Sequence, residues 1–146
     1  VAGDDARARR RVEAFHDAAR TLGIAEVEVV YVPAPTTLQY GRDGLGKLLA
    51  ARANVDAVFC SSDLLALGVL TEACVRKIPV PAQLAVVGFG DLEFAASLAP
   101  SLTSVRINGA AIGKQAARFI VDRAEGREVS ERVIDIGFQI IDREST

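Results

Sequence analysis

The chain has 146 residues, 17 of them Lys or Arg and 19 Asp or Glu, so one domain with one core is expected. The net charge of −2 and a pI near 5.4 argue against a free-standing nucleic-acid binder. Apolar residues make up 50 % and mean hydropathy is +0.24, too hydrophobic for disorder, yet no run approaches the roughly 18–20 apolar residues of a membrane span. Cys60 and Cys74 lie in apolar segments without C-x-x-C spacing, which predicts two reduced, buried thiols in a cytoplasmic protein and neither a zinc site nor a disulfide scaffold. There is no Met, so Val1 is not expected to be a translation start, and no signal peptide precedes it. A fragment or a processed product is the expectation.

Residues 4–22 read as a helix, with Val12, Phe15, Ala19 and Leu22 on one face, Asp4 or Asp5 as cap and Gly23 as stop. Val27–Val32 is β-branched and aromatic, a strand ended by Pro33 and Pro35. Thr36 or Thr37 opens a second helix to about Ala53, which Gly41, Gly44 and Gly46 weaken enough to leave its first half as loop. Ala57–Cys60 and Leu84–Phe89 are short apolar runs suited to parallel strands covered on both faces. Between them Leu64–Val75 is apolar all round, which predicts two packing partners, the sheet and a second subunit. After a helical stretch Leu92–Leu98 come a strand Thr103–Ile107 and an amphipathic helix over 109–124, with Ile112, Ala116, Phe119 and Ile120 inward. Val133–Ile141 alternates with period two and reads as an edge or half-exposed strand. Helices and strands alternate throughout, the pattern of a doubly wound, mainly parallel α/β sheet, although the chain opens on a helix where a strand would normally lead.

In open α/β sheets ligands bind past the carboxyl ends of the strands. Ser61, Ser62 and Asp63 follow one strand, and Gly90 and Asp91 follow another, where helix N-termini also point. Ser62 and Asp63 equally suit helix capping, and Asp91 has the same two readings. Gly88-Phe89-Gly90 lacks the full G-x-G-x-x-G spacing, so a dinucleotide site is not expected. His16 is the only histidine and reads as a surface residue, which leaves no Ser-His-Asp arrangement. Arg7, Arg9, Arg10 and Arg11 form a solvated helix face, short of a DNA-binding footprint. No metal set and no cofactor motif is present.

Asp56-Ala57-Val58-Phe59-Cys60-Ser61-Ser62-Asp63, continuing Leu64-Leu65-Ala66-Leu67-Gly68, resembles a hallmark of the lactose/galactose-repressor family of bacterial transcription regulators. So do Val80-Pro81 with Leu84-Ala85-Val86-Val87-Gly88-Phe89, Pro100-Ser101-Leu102-Thr103-Ser104-Val105-Arg106, Ile112-Gly113, and Arg143-Glu144-Ser145-Thr146. Together they cover nearly the whole chain in the family's order. The Gly-Phe-Gly-Asp variant and Asp135-Ile136-Gly137-Phe138 look most like the gluconate-repressor branch. The resemblance implies a two-lobed, periplasmic-binding-protein-like domain that binds a small effector and forms a homodimer. Operator DNA would be read only by an upstream helix-turn-helix missing from this chain. It implies that residues 1–103 and 131–146 form the C-terminal lobe, entered one strand late, and that 104–130 belong to the N-terminal lobe. It implies effector contacts at Arg11, Ser62, Asp63, Gly90 and Asp91, with Gly90 standing where a ligand-binding aspartate is common. It also implies a dimer interface through Leu67, Leu70, Cys74 and Leu98. Losing one carboxylate while keeping Arg11 favours a sugar acid over a neutral sugar; the alternative is that Arg11 pairs with Asp63 or Asp91 and positions them. A periplasmic solute-binding protein of a sugar importer is the alternative function, and an enzyme using Asp63 and Asp91 a third reading, without a nucleophile.

Overall fold

A computed structural model of the chain describes residues 1–24, 27–52, 54–129 and 133–146. The chain begins on a short strand, β1 (Ala2–Gly3), which corrects the expected opening helix. Two residues are too few to show a period, and the strand exists through pairing: Ala2 N–H donates to Val30 O and Asp4 N–H to Val32 O. Asp5 then caps α1 (Ala6–Thr21), its carboxylate accepting from the N–H groups of Arg7 and Ala8 at 2.9 and 3.0 Å. The expected strand Val27–Val32 is regular only as β2 (Tyr31–Val32). Thr37 caps α2 (Leu38–Ala51) by accepting from Tyr40 N–H; the expected end at Ala53 lies outside the described residues.

The remaining elements follow in the predicted order: β3 (Ala57–Phe59), α3 (Asp63–Val75), β4 (Ala85–Phe89), a 3-10 helix (Glu93–Ser97), β5 (Thr103–Arg106), α4 (Gly109–Ala124) and β6 (Gln139–Ile141). Strands β3, β4 and β5 are parallel neighbours, and β6 closes the row antiparallel to β5. The parallel pair β1–β2 joins this sheet through Val1, whose ammonium donates to Phe59 O at 2.8 Å while its carbonyl accepts from Ser61 N–H at 3.0 Å. The architecture is the predicted α/β one, with a mainly parallel sheet.

The second apolar face of α3 is covered by α2 of the same chain. Gly41 and Gly68 make that contact possible: a Cβ on Gly41 would lie 2.2 Å from Leu65 O, and one on Gly68 2.1 Å from Leu38 O. Of the glycines expected to loosen α2, Gly41 instead lets two helix backbones touch, and the helix runs unbroken from Leu38 to Ala51. Leu45, Leu48, Leu65, Val69, Leu70, Leu84, Val86 and Leu102 form the core around the contact. Leu70, expected at an interface, is therefore part of the chain's own core. Glu72 closes the outer side, accepting from Arg42 Nε at 3.0 Å and Arg76 Nε at 2.8 Å.

Cys60 is buried, which pushes its thiol up to about 11, whereas Cys74 is exposed, against the expectation of two buried thiols. The far end of the sheet is built differently. No described residue of α4 is buried, and Ile112 and Ile120 are 46 % and 71 % exposed, which corrects the expected inward face. Its apolar stripe is real, but among the described residues no layer covers it. Of the expected strand Val133–Ile141, only Gln139–Ile141 pairs with β5. Beyond it the chain turns back, and Ser145 fills the gap where β4 and β5 begin to diverge. Its hydroxyl donates to Val86 O at 2.6 Å and accepts from Thr103 N–H at 2.9 Å, while its carbonyl accepts from Val86 N–H at 2.8 Å.

Candidate functional site

The carboxyl ends of β3, β4 and β5 share one edge of the sheet, and the segments after β3 and β4 carry four of the five sequence-predicted effector residues. Ser62 is the N-cap of α3, its Oγ accepting from Leu65 N–H at 3.3 Å, and it remains half-buried beside Thr36 Oγ1 at 3.4 Å. Capping and access to the edge thus coexist in one hydroxyl. Thr36 was offered by the sequence only as a cap; Thr37 takes that role and leaves Thr36 facing Ser62.

Arg11 reaches the same edge from α1. Its guanidinium lies 3.8 Å from the centroid of the Phe89 ring and donates to Ser61 O at 3.4 Å. Neither Asp63 nor Asp91 pairs with it, so the alternative role of positioning those carboxylates is not what the structure shows. Among the described residues no carboxylate forms an ion pair with Arg11. Burial lowers its pKa and Asp5 partly offsets this; a guanidinium starts so far above neutrality that it stays cationic. Phe15 stacks on Phe59 at 5.7 Å close by. The aromatic platform escaped the sequence reading because Phe59 and Phe89 sit at the ends of apolar runs and look like core.

The two aspartates turn into the fold. Asp63 is fully buried, accepting from Ser104 Oγ and from Leu92 N–H, both at 2.6 Å. Ser104 Oγ in turn accepts from Asp91 N–H at 3.0 Å. The Asp91 carboxylate is held by Arg106 Nε at 2.5 Å and Arg143 at 2.7 Å. Burial alone would raise its pKa, but the Arg143 and Arg106 guanidiniums hold it below the usual carboxylate range. Both side chains are bonded into the fold and support the edge from behind. Gly90, between them and β4, has φ of +129°, a conformation L side chains rarely adopt, so a glycine suits this turn where an aspartate would be strained.

Of the expected interface residues, Leu67 and Leu98 are half-buried, Leu70 is in the core and Cys74 is exposed. His16 is half-buried on α1. No cluster of three His, Cys, Asp or Glu side chains suited to a metal occurs among the described residues, and no described helix is long and apolar enough to cross a membrane. A cavity of about 220 Å³ opens beneath α1, with Arg11 and Ser61 at the strand-end side and Val12, Phe15, Val58 and Phe59 among its deeper walls. Glu28, Arg52, Asn54 and Asp56 also line it, but its walls are mainly apolar. The polar edge with Arg11, Thr36, Ser62 and the Gly90 backbone is the better candidate.

All of residues 1–146 match the family described as periplasmic binding protein-like domain. The chain is 37 % identical over 143 residues to the HTH-type transcriptional regulator GntR of Pseudomonas aeruginosa, covering 97 % of this chain and 42 % of that protein. The crystal structure of transcription regulator GntR from Chromobacterium violaceum superposes with a TM-score of 0.92 at 33 % identity, over 99 % of this chain and 54 % of that one. The transcriptional regulator CelR–cellobiose complex superposes with a TM-score of 0.90 at 29 % identity, over 100 % of this chain and 45 % of that one. The chain spans less than half the length of the curated relatives it matches.

Proposed function

This chain belongs to the periplasmic binding protein-like domain family, in the lactose/galactose-repressor group of transcription regulators, and on that premise we propose that it senses a small sugar or sugar acid. In the intact protein, ligand binding shifts the population between two arrangements of the lobes and so controls operator binding by a DNA-reading module outside these residues. Residues 104–130 belong to the other lobe in this reading, and the uncovered apolar stripe of α4 supports it; the boundary at 130 and 131 lies outside the described residues. The matched relatives are transcription regulators, so the importer reading has nothing comparable behind it, nor does an enzyme.

The observation that carries the acid over the neutral sugar is Arg11, a half-buried cation at the ligand end with no carboxylate paired to it among the described residues. A ligand carboxylate would complete it with charge-assisted hydrogen bonds, while Ser62, Thr36 and the Gly90 backbone meet hydroxyls. Asp63 and Asp91 act behind them by fixing the Gly90–Leu92 turn. Calorimetry on the intact protein should find an aldonate such as gluconate bound more tightly than glucose, and Arg11→Ala should cost the acid about 2–4 kcal/mol. Equal affinity for acid and aldose defeats this reading.

Dimerisation is proposed through the surface around Leu67 on α3 and Leu98 after the 3-10 helix, both only half-buried, with Cys74 further along α3 and Leu70 supporting from the core. Leu67→Glu and Leu98→Glu should each move the intact protein toward monomer in sedimentation velocity. Unchanged dimers in both variants would place the interface elsewhere.

A further inference from the structure

Asp91 serves two guanidinium groups with one carboxylate, and the two are held unequally. The Asp91 side chain is 4 % exposed, and Arg143, at 14 %, is anchored a second time by donating to Leu102 O at 2.6 Å. Arg106 is 47 % exposed and bound only through Nε; among the described residues its two terminal nitrogens have no partner. The register pairs Gly88 with Ser104 and Phe89 with Val105. Side chains alternate along a strand, so Phe89, which carries Arg11, faces the α1 side, while Ser104 and Arg106 face the side of Asp63 and α3. Arg11 and Arg106 therefore approach the same strand ends from opposite faces of the sheet. Gly90, whose N–H bonds Val105 O, adds no charge between them.

We propose that Arg106 is a second effector-contacting residue, and that the edge takes an acyclic sugar acid with a carboxylate at each end, one on Arg11 and one on Arg106. This rests on the effector reading above and narrows its ligand class. Arg106 can turn its free terminal nitrogens to a ligand while its Nε stays on Asp91, whose other oxygen lies 2.7 Å from Arg143. A chain with one acidic end satisfies Arg11 alone, and a chain with two satisfies both cations.

Titration calorimetry of the intact protein with glucose, gluconate and glucarate tests this. Wild type should bind glucarate about tenfold more tightly than gluconate, the effect of one added charge-assisted contact. Arg106→Gln should abolish the preference, so that the two acids bind alike, and Arg106→Lys should keep part of it. The lysine variant decides the matter if the glutamine variant does not fold, since it retains a cation for Asp91. Equal binding of the two acids by wild type overturns the proposal, as does an Arg106→Gln variant that keeps the full preference for glucarate. Gluconate bound no better than glucose would instead overturn the effector reading, and the two failures are told apart in one set of titrations.

Discussion

Gly68→Ala should destabilise the protein by about 3 kcal/mol or more, lowering Tm by roughly 10 °C, although it adds a single methyl group to a helix. Alanine is the better helix former, and on an exposed helix the change would stabilise by up to about 1 kcal/mol. Here the new Cβ would stand 2.1 Å from Leu38 O, 2.8 Å from Gly41 Cα and 2.9 Å from Arg42 N, all backbone atoms that no rotamer change can move. The helices α2 and α3 must separate, and Leu45, Leu48, Leu65 and Val69 lose contact with one another. Gly113→Ala, on α4 with open space around its Cβ position, is the matched control and should raise stability or leave it unchanged. If thermal unfolding finds the two substitutions alike, the close backbone contact is not what holds these helices together.

Asp63→Ala should cost about 2–4 kcal/mol, because it leaves a buried hydroxyl donor on Ser104 and the Leu92 N–H without their acceptor. Asp63→Asn keeps one acceptor oxygen and should lose less. Urea unfolding is the suitable measurement: the midpoint should fall in the order wild type, Asn, Ala with the slope unchanged. A wild-type midpoint in the alanine variant would mean that the carboxylate is not the keystone of the Gly90–Leu92 turn. Effector affinity should fall with it, since Gly90 and Asp91 lose their anchor.

The distance between what the sequence announced and what the fold contains follows from the range of each interaction. Helices α1, α3 and α4 were legible because caps and periodicity are local: Asp5, Ser62 and Asn108 each bond a backbone N–H within three residues. β1 was not, since a two-residue strand is defined entirely by partners at Val30, Val32 and Phe59. Gly41 in α2 read as a breaker because its partner, Gly68, lies in another helix. At the candidate site the resemblance named Arg11 and the strand-end residues, which the structure brings to one edge of the sheet. It did not reveal that Asp63 and Asp91 bond into the fold, because their partners are distant in sequence, Ser104 and Arg106 on β5 and Arg143 beyond β6. The apolar face of α4 was visible as a stripe, but a stripe does not say what covers it.

Ser145 gives the fold a schedule as well as a fastening. Its bonds to Val86 span 59 residues of chain, and the same hydroxyl receives Thr103. During synthesis, β4 and β5 emerge long before the residue that seals the gap between them. Until Ser145 follows, Val86 and Thr103 keep unpaired backbone groups beside the core, open to pairing with a neighbouring nascent chain. The α2–α3 pair, made of contacts close in sequence, can form early on the ribosome, whereas the sheet beyond β4 must wait for Ser145. A late-closing sheet of this kind is where crowding on polysomes, more than heat, would first expose the protein to aggregation.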